Sequence, residues 1–261
     1  MNKKNLQKKI KHPPTNMVSI LVNIRAFLIL LFTLLLSMYL SWIFNAQAGY
    51  GYSWLYDFYD IDAHIEQYAP QNRFRMGFEL TQEDDRKAVF QSIVESVHND
   101  GLGLERIRYS SGSQDFPLLH EAEIIHLKDV AGLINKIHGV AAIIGILWLL
   151  LMYWYWHSHN GKTAFSASKK GVAAVFVTLM FVVFGVFVTF GAKQIFYQFH
   201  VWIFPNNHQW FFYYQDSLMS TLMKAPDLFA GIALQILLLG IAIFAALIIL
   251  AKKIIIKMEQ G

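Results

Sequence analysis

The sequence predicts an all-α integral membrane protein with four transmembrane helices, both ends on the cytoplasmic side (N-in/C-in), and a small, mainly helical extracytoplasmic cap after the first span. Three observations carry this. The 261 residues are 55% hydrophobic and only 15% charged, with a mean hydropathy of +0.37, too apolar for an ordinary soluble domain. Four apolar runs, 26–44, 137–156, 171–191 and 228–250, each have about the 20 residues that cross a roughly 30 Å hydrocarbon layer as helix. Segments 1–25, 157–170 and 251–261 hold twelve Lys and Arg against one acid, Glu259, whereas the other two connecting segments hold ten basic residues and seventeen acids. The positive-inside rule turns that asymmetry into an orientation.

Residues 1–25 form a basic cytoplasmic tail and 26–44 (AFLILLFTLLLSMYLSWIF) the first span. Ala46-Gln47-Ala48 has the small-x-small form of a cleavage site, but the apolar core is longer than the roughly 7 to 15 residues of a signal peptide, so the span is read as uncleaved. The cap, 45–136, is too short for an independent domain with a large core. Tyr50–Tyr59 (YGYSWLYDFY) reads as interfacial, and Thr81-Gln-Glu-Asp84 resembles a capping box. It opens a helix with apolar residues Val89, Phe90, Ile93, Val94 and Val97, for which Gly101 is a stop. Residues 104–109 read as a short strand and 110–114 as a loop.

From Pro117 the pattern is helical and runs into the second span, 137–156. A short cytoplasmic loop, 157–170, leads to the third span, 171–191. Residues 192–227 are so rich in Phe, Trp and Tyr that they read as an extracytoplasmic loop lying on, or dipping into, the interface. The fourth span, 228–250, carries Gln235 as an interhelical hydrogen-bonding group, and 251–261 is a cytoplasmic tail.

The composition also excludes chemistry. No cysteine means no disulfide, thiolate nucleophile or thiolate metal site. The net charge of +4 is the sum of two opposed local charges and calls for no nucleic-acid partner. No glycine-rich phosphate loop follows a strand and no serine sits in a nucleophile elbow, so neither a nucleotide nor another cofactor is expected.

Ten histidines remain. His12, His157 and His159 read as solvated, His64 and His98 as surface residues of the cap, and His138 as a capping or packing residue. No other span holds a histidine, which leaves a two-histidine haem without support. His126 and His200 differ by height: with 1.5 Å of rise per residue, both stand about 15 Å above the hydrocarbon edge if their helices continue outward. Glu123, His126 and Asp129 share one helical face. Spacing alone leaves open whether these rings do chemistry or merely hydrogen-bond at the interface. HEAEI at 120–124 opens like a zinc-binding helix, but Ile124 stands where the second histidine is needed. A loop-built metal site from His126, Glu123, His200 and His208 is an alternative, and no metal is expected.

Glu123-x-x-His126-x-x-Asp129, followed by Phe196-x-x-Phe199-His200 and then Trp210, Asp216, Pro226 and Phe229, resembles the bacterial lipoprotein intramolecular transacylases, a family of four-span membrane proteins. The resemblance implies an O-to-N acyl shift: the sn-2 acyl chain of a diacylglyceryl-cysteine lipoprotein moves to the cysteine α-amino group, giving a lyso-lipoprotein. It implies a diacylated lipoprotein N-terminus and membrane lipid as partners, and a bacterial cytoplasmic (inner) membrane location with the site on the extracytoplasmic side. On that reading His126 is the general base on the amine, oriented by Asp129 or Glu123. His200 stabilises the oxyanion or protonates the departing glyceryl oxygen, and the two roles are exchangeable. Asp216 orients His200, while Phe196, Phe199 and Trp210 contact the acyl chains. The basic N-terminal extension, Phe211-Phe212, Tyr213-Tyr214 and Lys224 depart from the family core and bear on substrate preference. A non-catalytic, permease-like partner of an ATPase has the same topology, but a 14-residue cytoplasmic loop offers it little docking surface. A metal- or haem-binding membrane protein is the third alternative.

Overall fold

The structure, a computed structural model, describes residues 15–157, 169–204 and 208–259. His12, His159 and much of the predicted cytoplasmic tail and loop lie outside the described residues. The chain is mostly helical. Helices α1 (Thr15–Gln47), α2 (Tyr52–Phe58), α3 (Ile61–Tyr68) and α4 (Glu83–Val97) precede a hairpin of β1 (Arg108–Ser111) and β2 (Gln114–Pro117). Then follow α5 (Glu121–His157), α6 (Lys169–Ile203), α7 (Leu218–Met223) and α8 (Asp227–Glu259).

Among the described residues, three helical stretches are long and apolar enough to cross a membrane: Phe27–Gln47, Glu121–Trp154 and Asp227–Leu250. The remaining run, 171–191, lies in α6, which is helical except at Gly191 (φ 72°, ψ 154°). Helix α1 packs on both α8 and α5. The hydroxyls of Thr33 and Ser37 return to carbonyls four residues back, each at 2.7 Å, which satisfies polar groups where water is scarce. Thr33 also accepts from the Trp148 indole at 2.9 Å. Gly240 lets α8 approach α1: a Cβ there would lie 2.5 Å from the Met38 sulfur.

The chain leaves α1 through a left-handed turn, Gly49-Tyr50-Gly51, with φ of 58°, 55° and 64°. Glycine suits such values, and a Cβ at Gly49 or Gly51 would meet the Gln91 or Gln235 side chain. The turn sends α2 into the cap. Tyr52, Leu55 and Tyr56 are buried there, Tyr52 stacked on Phe90 with ring centroids 3.7 Å apart. Only Trp54 and Phe58, rings 5.2 Å apart, present an exposed aromatic face, so four of the six aromatics expected at the headgroups, Tyr50, Tyr52, Tyr56 and Tyr59, pack in or against the core.

Other expectations for the cap are corrected. Thr81 does not cap α4: its hydroxyl donates to the Phe78 carbonyl (2.7 Å) and accepts from Arg86 (3.1 Å), while Gln82 takes the N-cap position without a side-chain bond. Glu83, Asp84 and Asp85 in the first turn complement the positive end of the helix instead. Residues 104–106 form a helical turn, and the strand runs past the expected loop boundary into a hairpin that pairs Tyr109 with Phe116. His64 is buried against Tyr68 and Tyr214, with ring centroids 4.6 Å away in each case. His98 is half-buried, its Nε2 2.8 Å from the Tyr50 hydroxyl. Both face inward because the left-handed turn and the aromatic segment after α6 fold over the cap.

Candidate active site

Helix α5 is unbroken from the cap into its apolar stretch. At 37 residues it is about 55 Å long, well beyond the hydrocarbon thickness, so its charged first turns stand clear of the apolar run. Those turns carry Glu123, His126 and Asp129. Helix α6 reaches the same place by another route. At Gly191 the backbone adopts a conformation essentially confined to glycine, and residues 192–203 continue as a separate helical arm bearing Phe196, Phe199 and His200.

The two histidines meet. Their ring centroids are 5.9 Å apart with planes tilted by 34°, and both residues are buried. Phe204 lies against both, 4.9 Å from His126 and 5.2 Å from His200. Trp210 is 5.0 Å from the His200 ring and Phe212 6.1 Å from that of His126. A single cavity of about 980 Å³ is lined by both imidazoles together with Phe196, Phe199 and Trp210.

The ring nitrogens differ in their surroundings. His200 Nδ1 donates to the Phe196 carbonyl at 2.7 Å, one turn back in the arm. In the neutral ring this bond puts the proton on Nδ1 and leaves Nε2 with a free lone pair. Burial lowers the His200 pKa below the ordinary imidazole value, and the Phe196 bond opposes that shift. His126 Nδ1 is buried without a hydrogen-bond partner among the described residues.

The carboxylates expected to orient these rings have other partners. Glu123, 1% exposed, accepts from the Ser217 hydroxyl and from the backbone N–H of His120 (2.7 Å). Asp129 lies 2.6 Å from His208 Nδ1. Asp216 pairs with Arg73. Thus Glu123 anchors the segment before α7, where Ser217 also accepts from the Ser220 N–H at 2.8 Å, and Asp129 ties α5 to the residues after α6. Sequence reasoning missed Ser217 and Phe204, and took Phe212 only as a departure from the family core. Ser217 had a local signal, an N-cap type of residue before a helical run; Phe204 was lost among many aromatics. Among the described residues, no three His, Asp or Glu side chains are gathered so as to hold a metal ion.

The family model for the lipoprotein intramolecular transacylase Lit matches residues 19–225. No curated protein and no solved structure matches the chain. The matched region covers more than three quarters of the 261 residues and contains both histidines, the arm that carries His200 and the first turns of α5. The chain belongs to the lipoprotein intramolecular transacylase family.

Proposed function

We propose that this protein is a membrane acyltransferase that moves the sn-2 acyl chain of a diacylglyceryl-cysteine lipoprotein to the cysteine α-amino group, in a four-span, N-in/C-in arrangement in the bacterial cytoplasmic membrane with the site on the extracytoplasmic side. The observation that carries this reading is the meeting of His126 and His200 over one apolar cavity. Substrate amine and ester belong to one molecule, so holding them together supplies much of the acceleration.

The attacking amine must be neutral. Its nitrogen adds to the sn-2 carbonyl carbon; the new N–C bond forms, the C–O bond to glycerol breaks, and one proton passes from nitrogen to the departing glyceryl oxygen. Ester becomes amide, and no nucleotide is consumed. The Phe196 bond favours His200 as the base, because Nε2 is then the bare nitrogen. His126 is the complementary donor: an unpartnered Nδ1 away from water is less costly bare than as N–H, which puts the proton on Nε2 for the oxyanion or the leaving oxygen. Phe196, Phe199 and Trp210 form the wall nearest the reacting ester. Asp129, Glu123 and Asp216 support the site through His208, Ser217 and Arg73.

Mass spectrometry of a lipoprotein's N-terminal peptide, produced with and without this protein, tests the proposal. The N-acyl, S-monoacylglyceryl product is expected with the native chain, and His126→Ala or His200→Ala should each lower its formation by about 10²- to 10⁴-fold. Undiminished product with both histidines replaced overturns the assignment.

A further inference from the structure

The cavity extends well away from the histidines. On α5 its lining runs through His126, Val130, Leu133, Ile134 and Ile137, offsets of four, seven, eight and eleven residues that form one stripe on a helix face. Eleven residues of helix span about 16 Å. Helix α8 lines the cavity from Asp227 through Ile232 to Ile236, about 14 Å by the same rise. Helix α4 adds Ile93 and Val97, and the charged residues of the lining are Lys193 on the α6 arm and Asp227 at the start of α8.

Contacts at the far end hold these walls at one level. Ser41 donates to the Ile236 carbonyl at 2.7 Å. The next residue, Trp42, lies 5.4 Å from the His138 ring, and His138 follows Ile137. The Trp42 indole donates to the Tyr50 hydroxyl at 2.8 Å, and both aromatics line the cavity. Tyr50 is held there at positive φ by the left-handed turn, a conformation uncommon for a bulky residue.

We infer that this limb seats the transferred fatty acyl chain, with its ester carbonyl between His126 and His200 and its far end against Trp42 and Tyr50, so that the indole sets which chain lengths react fastest. The inference rests on the transacylase reading and adds to it the place of the chain: inside the protein along α5, with the aromatic arm covering only the ester end. With carbon–carbon bonds of about 1.5 Å in a zigzag, a chain advances about 1.3 Å per carbon, and about 16 Å holds roughly a dozen carbons. The stripe on α5 and the wall on α8 agree on that length.

The full-length protein is given synthetic diacylglyceryl-cysteine peptides whose sn-2 chains run from about 8 to about 18 carbons, and product is quantified by mass. Trp42→Ala should raise the rate on the longest chains relative to a chain of about 12 carbons by about tenfold. Ile134→Trp, which fills the stripe about 12 Å from His126, should shift the optimum several carbons shorter. Rate profiles of both variants that superimpose on the native one overturn the inference. A second measurement uses the native protein alone: a diazirine at the methyl end of a chain of about 12 carbons should label Trp42, Tyr50 or Ile137 on irradiation. Labelling confined to residues 208–214 also overturns it. If the native protein makes no product from any chain, the transacylase reading itself falls; if it makes product and the profile and labelling fail as stated, only the seat of the chain is wrong.

Discussion

The buried carboxylate of Glu123 and the hydroxyl of Ser217 share a hydrogen bond although 94 residues separate them. The same hydroxyl accepts from the Ser220 N–H at the start of α7, so one oxygen joins the first turn of α5 to the segment that carries Trp210 and Phe212. Removing one partner leaves a buried acceptor unsatisfied. Ser217→Ala is therefore expected to cost about 1–3 kcal/mol, read as a lower denaturation midpoint in detergent. Glu123→Gln, which keeps an acceptor for Ser217, should cost less than Glu123→Ala.

His200 titrates below the ordinary imidazole value because it is buried, and it is proposed to work neutral. Protonation of the substrate amine alone should make kcat/KM fall below about pH 8, and His200 should add a second, steeper fall only below about 6.5, where free imidazole protonates. Trp210→Ala exposes the ring by removing the aromatic 5.0 Å from it. The second fall should then move up toward 6.5 while the first stays in place. A second fall that does not move would separate Trp210 from the burial of His200.

Asp129 and His208 act as one unit at 2.6 Å. Asp129→Asn and His208→Ala should each lower kcat/KM, and the double variant should be little worse than either single one. The cycle should return a coupling of about 0.5–3 kcal/mol, whereas simple additivity would show that the pair does nothing jointly.

His64 supplies a pH dependence of stability rather than of rate. Burial, followed by the Lys224 charge, pushes its pKa down to about 4, with Asp227 acting in the opposite sense. The unfolded chain, with an ordinary value near 6.5, binds the proton first. The contribution is whole above pH 6.5 and is lost as pH falls from there toward 4. His64→Phe keeps the ring between Tyr68 and Tyr214 and should flatten the fall in thermal midpoint between about pH 7 and pH 5.

Gly191→Ala forces a side chain onto φ 72°, ψ 154°, at a cost of about 1–3 kcal/mol. Among the described residues, nothing lies within 4 Å of a Cβ built there, so the strain is conformational and not steric crowding. Residues 192–203 should relax away from that geometry and carry His200 with them, and acyl transfer should drop while the protein's unfolding midpoint changes little, because relaxing the arm relieves the strain.

The long helices were legible because an apolar run of about 20 residues has one comfortable solution in a bilayer, and the pairing of His126 with His200 was legible as a coincidence of heights. The break at Gly191 was not, since a lone glycine in an apolar run has no necessary conformation. Gln114–Pro117 gave no strand signal because its polar and acidic residues lack the alternation of a half-buried strand. The true partners of Asp129, Asp216 and Glu123 depend on where the residues after α6 return, a long-range matter that local periodicity does not record. The stripe from His126 to Ile137 was present as spacing all along, but it gains meaning only when α4 and α8 stand beside it.

Because α5 is one rigid rod from His126 to the far end of its apolar stretch, the height of the imidazole above the lipids is set by how that stretch is seated. A thicker bilayer straightens such a rod and a thinner one tilts it. On the proposed function the ester enters from headgroup level while the ring rides with the rod, so turnover is expected to peak in bilayers where the two depths coincide.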